Sequence, residues 1–209
     1  MRTQRAPQYR RRLGLVAVAA VTAVTVAACG GSDDDKGKGG KDGKSGDRAS
    51  EAPKNLKVGQ AGPVQEITKY KTTGKFSITP TKVVLGKPED LKELDDDKKY
   101  GGKKVAWIYV KAKHVGGEAV KQPIVMTNVN AETSDGNPAT KFILIGTLSS
   151  QPEDCVGNDG KRELGREDIW KKGEERTVCE PYLIPADATV KAVTYSQGFY
   201  KEPIKWALR

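Results

Sequence analysis

The side chains of this sequence that could take part in chemistry are one histidine, three cysteines and two groups of acidic residues. His114 stands at the end of an apolar stretch, just before Val115, Gly116 and Gly117, and is a candidate general base or metal ligand. Catalytic triads and histidine metal sites need further partners at set geometry, and the sequence offers no set that we can assemble. The alternative, which we favour, is a hydrogen bond from the imidazole ring to the following turn.

The acidic residues offer oxygen ligands of the kind that Ca²⁺ prefers. One group is formed by residues 95–97, and the other by Asp154, Asp159 and Glu163, close to a cysteine. Neither group has the spacing of a known calcium loop, and lysines adjoin the first. We therefore expect solvated loops at both places, with no catalytic residue, no metal site and no cofactor.

The N-terminal residues have the layout of a bacterial export signal. Five arginines precede Leu13, no acidic residue occurs before Asp33, and residues 13–28 are apolar. This run has 16 residues, which is fewer than the roughly 20 that a helix needs to cross a bilayer. Its end, VAA followed by Cys29, resembles the lipobox of bacterial lipoproteins. In that family the cysteine thiol receives a diacylglyceryl group and the chain is cut before it.

The resemblance implies that residues 1–28 are a cleaved signal peptide. It also implies that acyl chains on Cys29 hold the mature protein at the outer face of the cytoplasmic membrane, because two or three such chains anchor a protein firmly. The alternative is an ordinary secretory signal with a chance cysteine at its end. Arg11 and Arg12 also resemble a twin-arginine signal, so the export route stays open.

An odd number of cysteines in an exported protein requires an explanation. If Cys29 is lipidated, Cys155 and Cys179 remain outside the reducing cytosol, and we predict a disulfide between them. A loop of about 25 residues closed in this way contributes roughly 3 kcal/mol on the chain-entropy model. The alternative is two free thiols or a metal pair, for which His114 is the one histidine available.

The net charge of the whole chain, +9, suggests a nucleic-acid partner at first. Removing the five arginines of residues 1–28 leaves 31 basic against 27 acidic residues, a net charge of +4. Basic and acidic residues are also interspersed along the chain, which indicates a solvated surface. We therefore expect no nucleic-acid partner.

Residues 29–62 have the composition of a disordered tether. They are rich in glycine, lysine and aspartate and almost free of large apolar side chains, so they cannot bury enough surface to offset the entropy of ordering. The flexible-chain estimate gives a reach of about 30 Å. The remaining residues, 63–209, are expected to form one domain of ordinary size.

The pattern of residues 63–209 is that of β-strands, and alternate residues of the strongest one, 104–114, share a face. One face is apolar: Ala106, Ile108, Val110 and Ala112. The other is aromatic first and polar later: Trp107, Tyr109, Lys111 and Lys113. Turn signals separate further short strands at 76–85, 124–126, 142–145, 177–184, 189–195 and 204–208. Only residues 88–94 suggest a helix. These features predict an all-β fold, an antiparallel β-sandwich.

The order of the segments resembles the immunoglobulin-like domain of actinobacterial (Streptomyces-like) lipoproteins and secreted immunogenic antigens. The resemblance rests on FSITPTKVV, KKVAWIYVKAKHVGGEAV, ETSDGN and WKKGEERTVCEPYLIPADATVKAVTYS, and it covers most of residues 73–208. The sequence has His114 where asparagine is usual, Lys172 where proline is frequent and Tyr182 where phenylalanine is usual. The resemblance implies an immunoglobulin-like β-sandwich outside the membrane. It implies no activity, because a fold does not define a function.

Aromatic side chains can form a recognition surface or pack in a core, and we favour core packing for this set: Trp107, Tyr109, Trp170, Tyr182, Tyr195, Tyr200 and Trp206. If one face binds a ligand, we expect it to be the face that carries Trp107 and Tyr109.

The sequence therefore predicts a non-enzymatic, membrane-anchored lipoprotein that binds an unknown protein or cell-wall partner. The alternative is a small-molecule or metal-binding accessory lipoprotein, and an enzyme is the least expected. An exposed aromatic patch would favour the first. A concave pocket with convergent polar groups would favour the second.

Overall fold

A computed structural model of the chain describes residues 56–155 and 168–208. Strands dominate this part, and the prediction of an all-β fold is confirmed. The strands are β1 (Leu56–Lys57), β2 (Gln65–Lys69), β3 (Thr72–Leu85), β4 (Lys103–Gly117), β5 (Val120–Lys121), β6 (Val129–Thr133), β7 (Thr140–Lys141), β8 (Ile169–Trp170), β9 (Glu175–Pro185), β10 (Val190–Tyr195) and β11 (Ile204–Ala207). A 3₁₀ helix (Pro88–Leu94) and a one-turn helix α1 (Asp97–Tyr100) lie between β3 and β4.

The strands form three sheets. A five-stranded sheet has the order β2-β3-β4-β9-β7, a four-stranded sheet has the order β1-β11-β10-β6, and β5 pairs with β8. All pairings are antiparallel except that of β1 with β11, which is parallel. The long strand β4 is therefore the centre of the larger sheet, paired along most of its length on both sides.

The predicted alternation of β4 is confirmed. Its apolar face, with Ile108 and Val110 at the middle, belongs to a core that also contains Val193 and Trp206 of the four-stranded sheet. The two larger sheets thus share one hydrophobic core. Burial of this apolar area is the main stabilising contribution to such a fold.

Tyr182 links the two larger sheets inside this core. Its side chain on β9 is fully buried, and its hydroxyl donates a hydrogen bond of 2.9 Å to the carbonyl oxygen of Val129, where β6 begins. Burial, and then the charge of Glu180, raises the pKa of Tyr182. The hydroxyl therefore keeps its proton and satisfies a buried carbonyl.

The ordered fold begins earlier than the predicted boundary at residue 63. Leu56 is buried and lies beside Trp206 in the parallel β1–β11 pair. The N–H of Gly62 then donates to the carbonyl oxygen of Ile78 at 2.9 Å, and a Cβ at Gly62 would collide with the indole ring of Trp206. Residues 56–62 thus belong to the fold, because local composition does not reveal pairing with strands more than a hundred residues away. The predicted signal peptide, Cys29 and the rest of the tether lie outside the described residues.

Two predicted strands are turns or irregular segments instead. Residues 124–126 lie in a turn in which Val125 and Met126 are buried. Residues 142–145 follow the two-residue strand β7 and leave the sheet, with Phe142 buried and Ile143 exposed. In both segments some apolar side chains pack in the core although the backbone does not continue as a strand.

Candidate functional site

The aromatic face of β4 is covered. Trp107 and Tyr109 are each only 1% exposed. They belong to a second cluster, here called the outer core: Leu91, Val105, Trp107, Tyr109, Phe142, Leu148, Cys155, Cys179 and Leu183. The 3₁₀ helix contributes Leu91, and the segment 142–155 contributes Phe142 and Leu148. These two segments cover Trp107 and Tyr109. The core packing that we favoured for them is therefore what the structure shows, and their rings do not form the exposed binding surface that we considered as the alternative.

The predicted disulfide between Cys155 and Cys179 is confirmed. Cys179 on β9 lies beside Tyr109 on β4, and Tyr109 lies beside Lys82 on β3. The disulfide therefore fixes the end of the covering segment at the middle of the five-stranded sheet. Both cysteines are buried in the outer core.

Asp154 fixes the same segment by a second, ionic contact. Its carboxylate accepts hydrogen bonds of 2.6 Å from the Tyr109 hydroxyl and from the Lys82 ammonium group. The Lys82 nitrogen also lies 4.1 Å from the centroid of the Tyr109 ring, a cation–π contact. The hydrogen bond from Lys82, and then that from Tyr109, lowers the pKa of Asp154. Burial, followed by the hydrogen bond to Asp154, raises the pKa of Tyr109.

The acidic groups considered as calcium ligands do not form a metal site in the described part of the chain. Asp154 is paired with Lys82, whereas Asp159 and Glu163 lie outside the described residues. Asp96 caps α1, since its carboxylate accepts a hydrogen bond of 3.1 Å from the backbone N–H of Lys99. Within residues 56–155 and 168–208, no group of three histidine, cysteine, aspartate or glutamate side chains could hold a metal ion.

His114 has the structural role that we favoured. It is fully buried, its Nε2 lies 2.8 Å from the carbonyl oxygen of Glu118 in the following turn, and its ring packs edge-on against Phe76 with centroids 4.7 Å apart. A carbonyl oxygen can only accept, so Nε2 carries the proton in this contact. A side chain at Gly74 would collide with this ring. His114 is thus enclosed by the fold and has no open side toward a substrate.

An open groove of about 750 Å³ lies where β10 ends and where β2 and β6 begin. Its lining comes from both larger sheets and from the connection between β10 and β11: Val64, Gln65, Glu66, Asn128, Tyr195, Ser196, Gln197, Gly198, Phe199 and Lys201. The groove is the place where the ends of several strands bring uncharged polar side chains together.

The polar groups of the groove are positioned but only weakly engaged with one another. Gln65 is largely buried, and its amide donates a hydrogen bond of 2.8 Å to the carbonyl oxygen of Pro63. The contacts from Gln197 to Gln65 and from Asn128 to the Tyr195 hydroxyl are both 3.5 Å, at the upper limit for a hydrogen bond. These amides and this hydroxyl therefore keep capacity for a further partner.

Two consecutive aromatic residues are exposed in the connection between β10 and β11, and the first of them, Phe199, lines the groove. Phe199 and Tyr200 are fully exposed, and Val64, directly before β2, is half exposed. The expectation of core packing is wrong for Tyr200, and Phe199 was not among the aromatic residues considered. The sequence signal for their exposure is the stretch SQGFYKEP, residues 196–203, in which Gly198 and Pro203 mark a turn. In the structure Gly198 has φ of +102°. Aromatic residues inside a turn have no strand face through which to reach a core.

The comparisons with protein-family models, curated proteins and solved structures find no match for this chain. Among the described residues, no helix is both long enough and apolar enough to span a bilayer. The groove with its polar and aromatic lining is the strongest candidate site in the described part of the chain.

Proposed function

We propose that this protein is a lipoprotein of the cell envelope, anchored through Cys29 to the outer face of the cytoplasmic membrane after removal of residues 1–28. Its folded part is a non-enzymatic binding module with an immunoglobulin-like β-sandwich fold. The observation that carries the proposal is the open groove, in which uncharged polar groups meet the fully exposed ring of Phe199, with the exposed ring of Tyr200 next in sequence. Grouped exposed apolar surface of this kind is typical of interaction sites.

Three further observations support the proposal. The disulfide between Cys155 and Cys179 suits an oxidising compartment outside the cytosol. The two larger sheets are mainly antiparallel and share one core, as an immunoglobulin-like sandwich requires. His114 is enclosed by the fold, and its ring is hydrogen-bonded to the backbone carbonyl oxygen of Glu118, so this imidazole is not available as a general base.

The anchor is tested by the intact mass of the protein extracted from membranes, with and without reduction. We expect a chain that begins at Cys29, carries a diacylglyceryl group and gains two hydrogens on reduction of its disulfide. A chain that begins near residue 29 without lipid would refute the anchor.

The binding role is tested by co-sedimentation of the protein with isolated cell walls. The double substitution Phe199→Ala/Tyr200→Ala should reduce binding. The matched control, Ile143→Ala/Ile145→Ala, removes two exposed apolar side chains elsewhere and should leave binding unchanged. Equal binding by both variants would refute the role of the groove.

A second candidate function is that of a small-molecule accessory lipoprotein. It is favoured by the concave shape of the groove and by its convergent polar groups, which are typical of ligand pockets. An increase in Tm with a small ligand, together with no binding to cell walls, would support this candidate over the first.

A further inference from the structure

We propose that the groove binds an uncharged carbohydrate chain and that Phe199 and Tyr200 stack on its sugar rings. This inference rests on the proposed binding function and specifies the ligand class of the same site.

The chemistry of the lining matches sugar hydroxyl groups. Five uncharged polar residues line the groove: Gln65, Asn128, Tyr195, Ser196 and Gln197. Amide and hydroxyl side chains both donate and accept hydrogen bonds, and so does each hydroxyl of a sugar. A planar amide can donate to one of two neighbouring ring hydroxyls while it accepts from the other.

The charges of the lining favour no anionic ligand. Glu66 and Lys201 are the charged residues that line the groove, and they have opposite signs. Phosphate and carboxylate ligands are bound preferentially by arginine and lysine clusters, and anionic lipid surfaces by basic residues around an apolar tip. Here Glu202 directly follows Lys201 and is also exposed. A neutral ligand is therefore the better match.

The polar groups are held in place before a ligand arrives. The hydrogen bond to Pro63 fixes Gln65, and burial of Tyr195 fixes its ring. Burial also raises the pKa of Tyr195, so its hydroxyl remains a neutral donor and acceptor. Because the contacts of Asn128 and Gln197 are long, a ligand hydroxyl can replace them at little loss of protein hydrogen bonding. Preorganisation of this kind lowers the entropic cost of binding.

The exposed rings complete the site. Phe199 lines the groove, and Tyr200 follows it in the same turn. A flat ring with no covering side chain offers its face to the apolar C–H side of a pyranose, while the groove holds the hydroxyl edge. Its volume of about 750 Å³ and its open form suit a few units of a longer chain.

Saturation-transfer NMR and isothermal titration calorimetry with the full-length protein in detergent test the inference. The probes are two neutral trisaccharides, chitotriose and cellotriose. We expect saturable binding of at least one, weakened at least tenfold by Phe199→Ala/Tyr200→Ala and weakened also by Asn128→Ala. The control Ile143→Ala/Ile145→Ala should bind as the unchanged protein does.

Absence of saturable binding of both trisaccharides at millimolar concentration would overturn the inference, as would equal binding by all variants. Failure of the carbohydrate assignment can be separated from failure of the proposed function. Groove-dependent binding to cell walls that is lost after protease treatment of the walls would overturn the carbohydrate and assign a protein partner. The intact mass tests the anchor independently of either result.

Discussion

Two regions of this molecule place aromatic residues in opposite situations. On the outer face of β4, Trp107 and Tyr109 are covered by a segment that the disulfide and Asp154 hold against the sheet. At the groove, Phe199 and Tyr200 have no such cover and are fully exposed. Both regions combine aromatic rings with polar groups. The difference shows that a fixed covering segment, and not residue type, decides whether such a surface becomes core or remains open.

The largest difference in the free energy of unfolding is expected when one aromatic ring from each of the two regions is truncated to alanine. Trp107→Ala should lower the free energy of unfolding by about 3–5 kcal/mol, because it leaves a cavity in a packed cluster. Phe199→Ala should change it by less than about 0.5 kcal/mol, as is usual for exposed positions. Urea denaturation of both variants measures the difference. A loss below about 0.5 kcal/mol for Trp107→Ala as well would mean that the outer core does not stabilise the fold.

The disulfide should have the next largest effect. Its cysteines are 24 residues apart, and Cys155→Ser/Cys179→Ser should cost roughly 3 kcal/mol on the chain-entropy model. Loosening of the covering segment should also increase quenching of tryptophan fluorescence by acrylamide, since Trp107 loses its cover. Stability and quenching that both remain unchanged would show that packing alone holds the segment in place.

A smaller effect is expected for the hydrogen bond between Tyr109 and Asp154. Tyr109→Phe should cost about 1 kcal/mol, the net value of one hydrogen bond. The folded-state pKa of Tyr109 is raised above an unfolded value of about 10. Its contribution is therefore complete below about pH 10 and is lost as the pH rises through the folded-state pKa.

The free energy of unfolding, measured by urea denaturation from pH 8 to pH 11, should accordingly fall above about pH 10. The decline should be shallower in Tyr109→Phe than in the unchanged protein. Identical slopes would assign the whole decline to other groups, Tyr182 first among them, because its pKa is raised as well.

An effect of similar size and opposite sign concerns the hairpin that continues from the groove strand β2 into β3. Tyr70 and Lys71 form its turn with φ of 50° and 67°, values that favour asparagine and glycine. Tyr70→Asn/Lys71→Gly should raise the free energy of unfolding by about 1 kcal/mol without changing the groove. The control Lys71→Ala keeps a Cβ at positive φ and should give no gain. Thermal unfolding of the three proteins measures the differences.

Much of the five-stranded sheet was predictable because its signals are local. The alternation from Ala106 to Lys113 reveals both faces of β4, since side chains in a strand point to opposite sides in turn. The exposed pair Phe199 and Tyr200 was missed, although the turn residues around it carry a local signal. Core packing was favoured for Trp107, but the segment that covers it was not predictable in the same way, because residues 142–155 are remote in sequence.

By itself the sequence determined the all-β class and the faces of β4 and predicted the pairing of Cys155 with Cys179, since strand periodicity and cysteine number are properties of short segments and composition. Its predictions for Cys29 and residues 1–28 rest on the same kind of local pattern. Tertiary structure alone decided that Leu56 joins a sheet, which segments cover Trp107 and Tyr109, and that Gln65, Asn128 and Tyr195 meet in a groove. These outcomes depend on contacts between segments that are remote in sequence, and no local pattern encodes which segment covers which face.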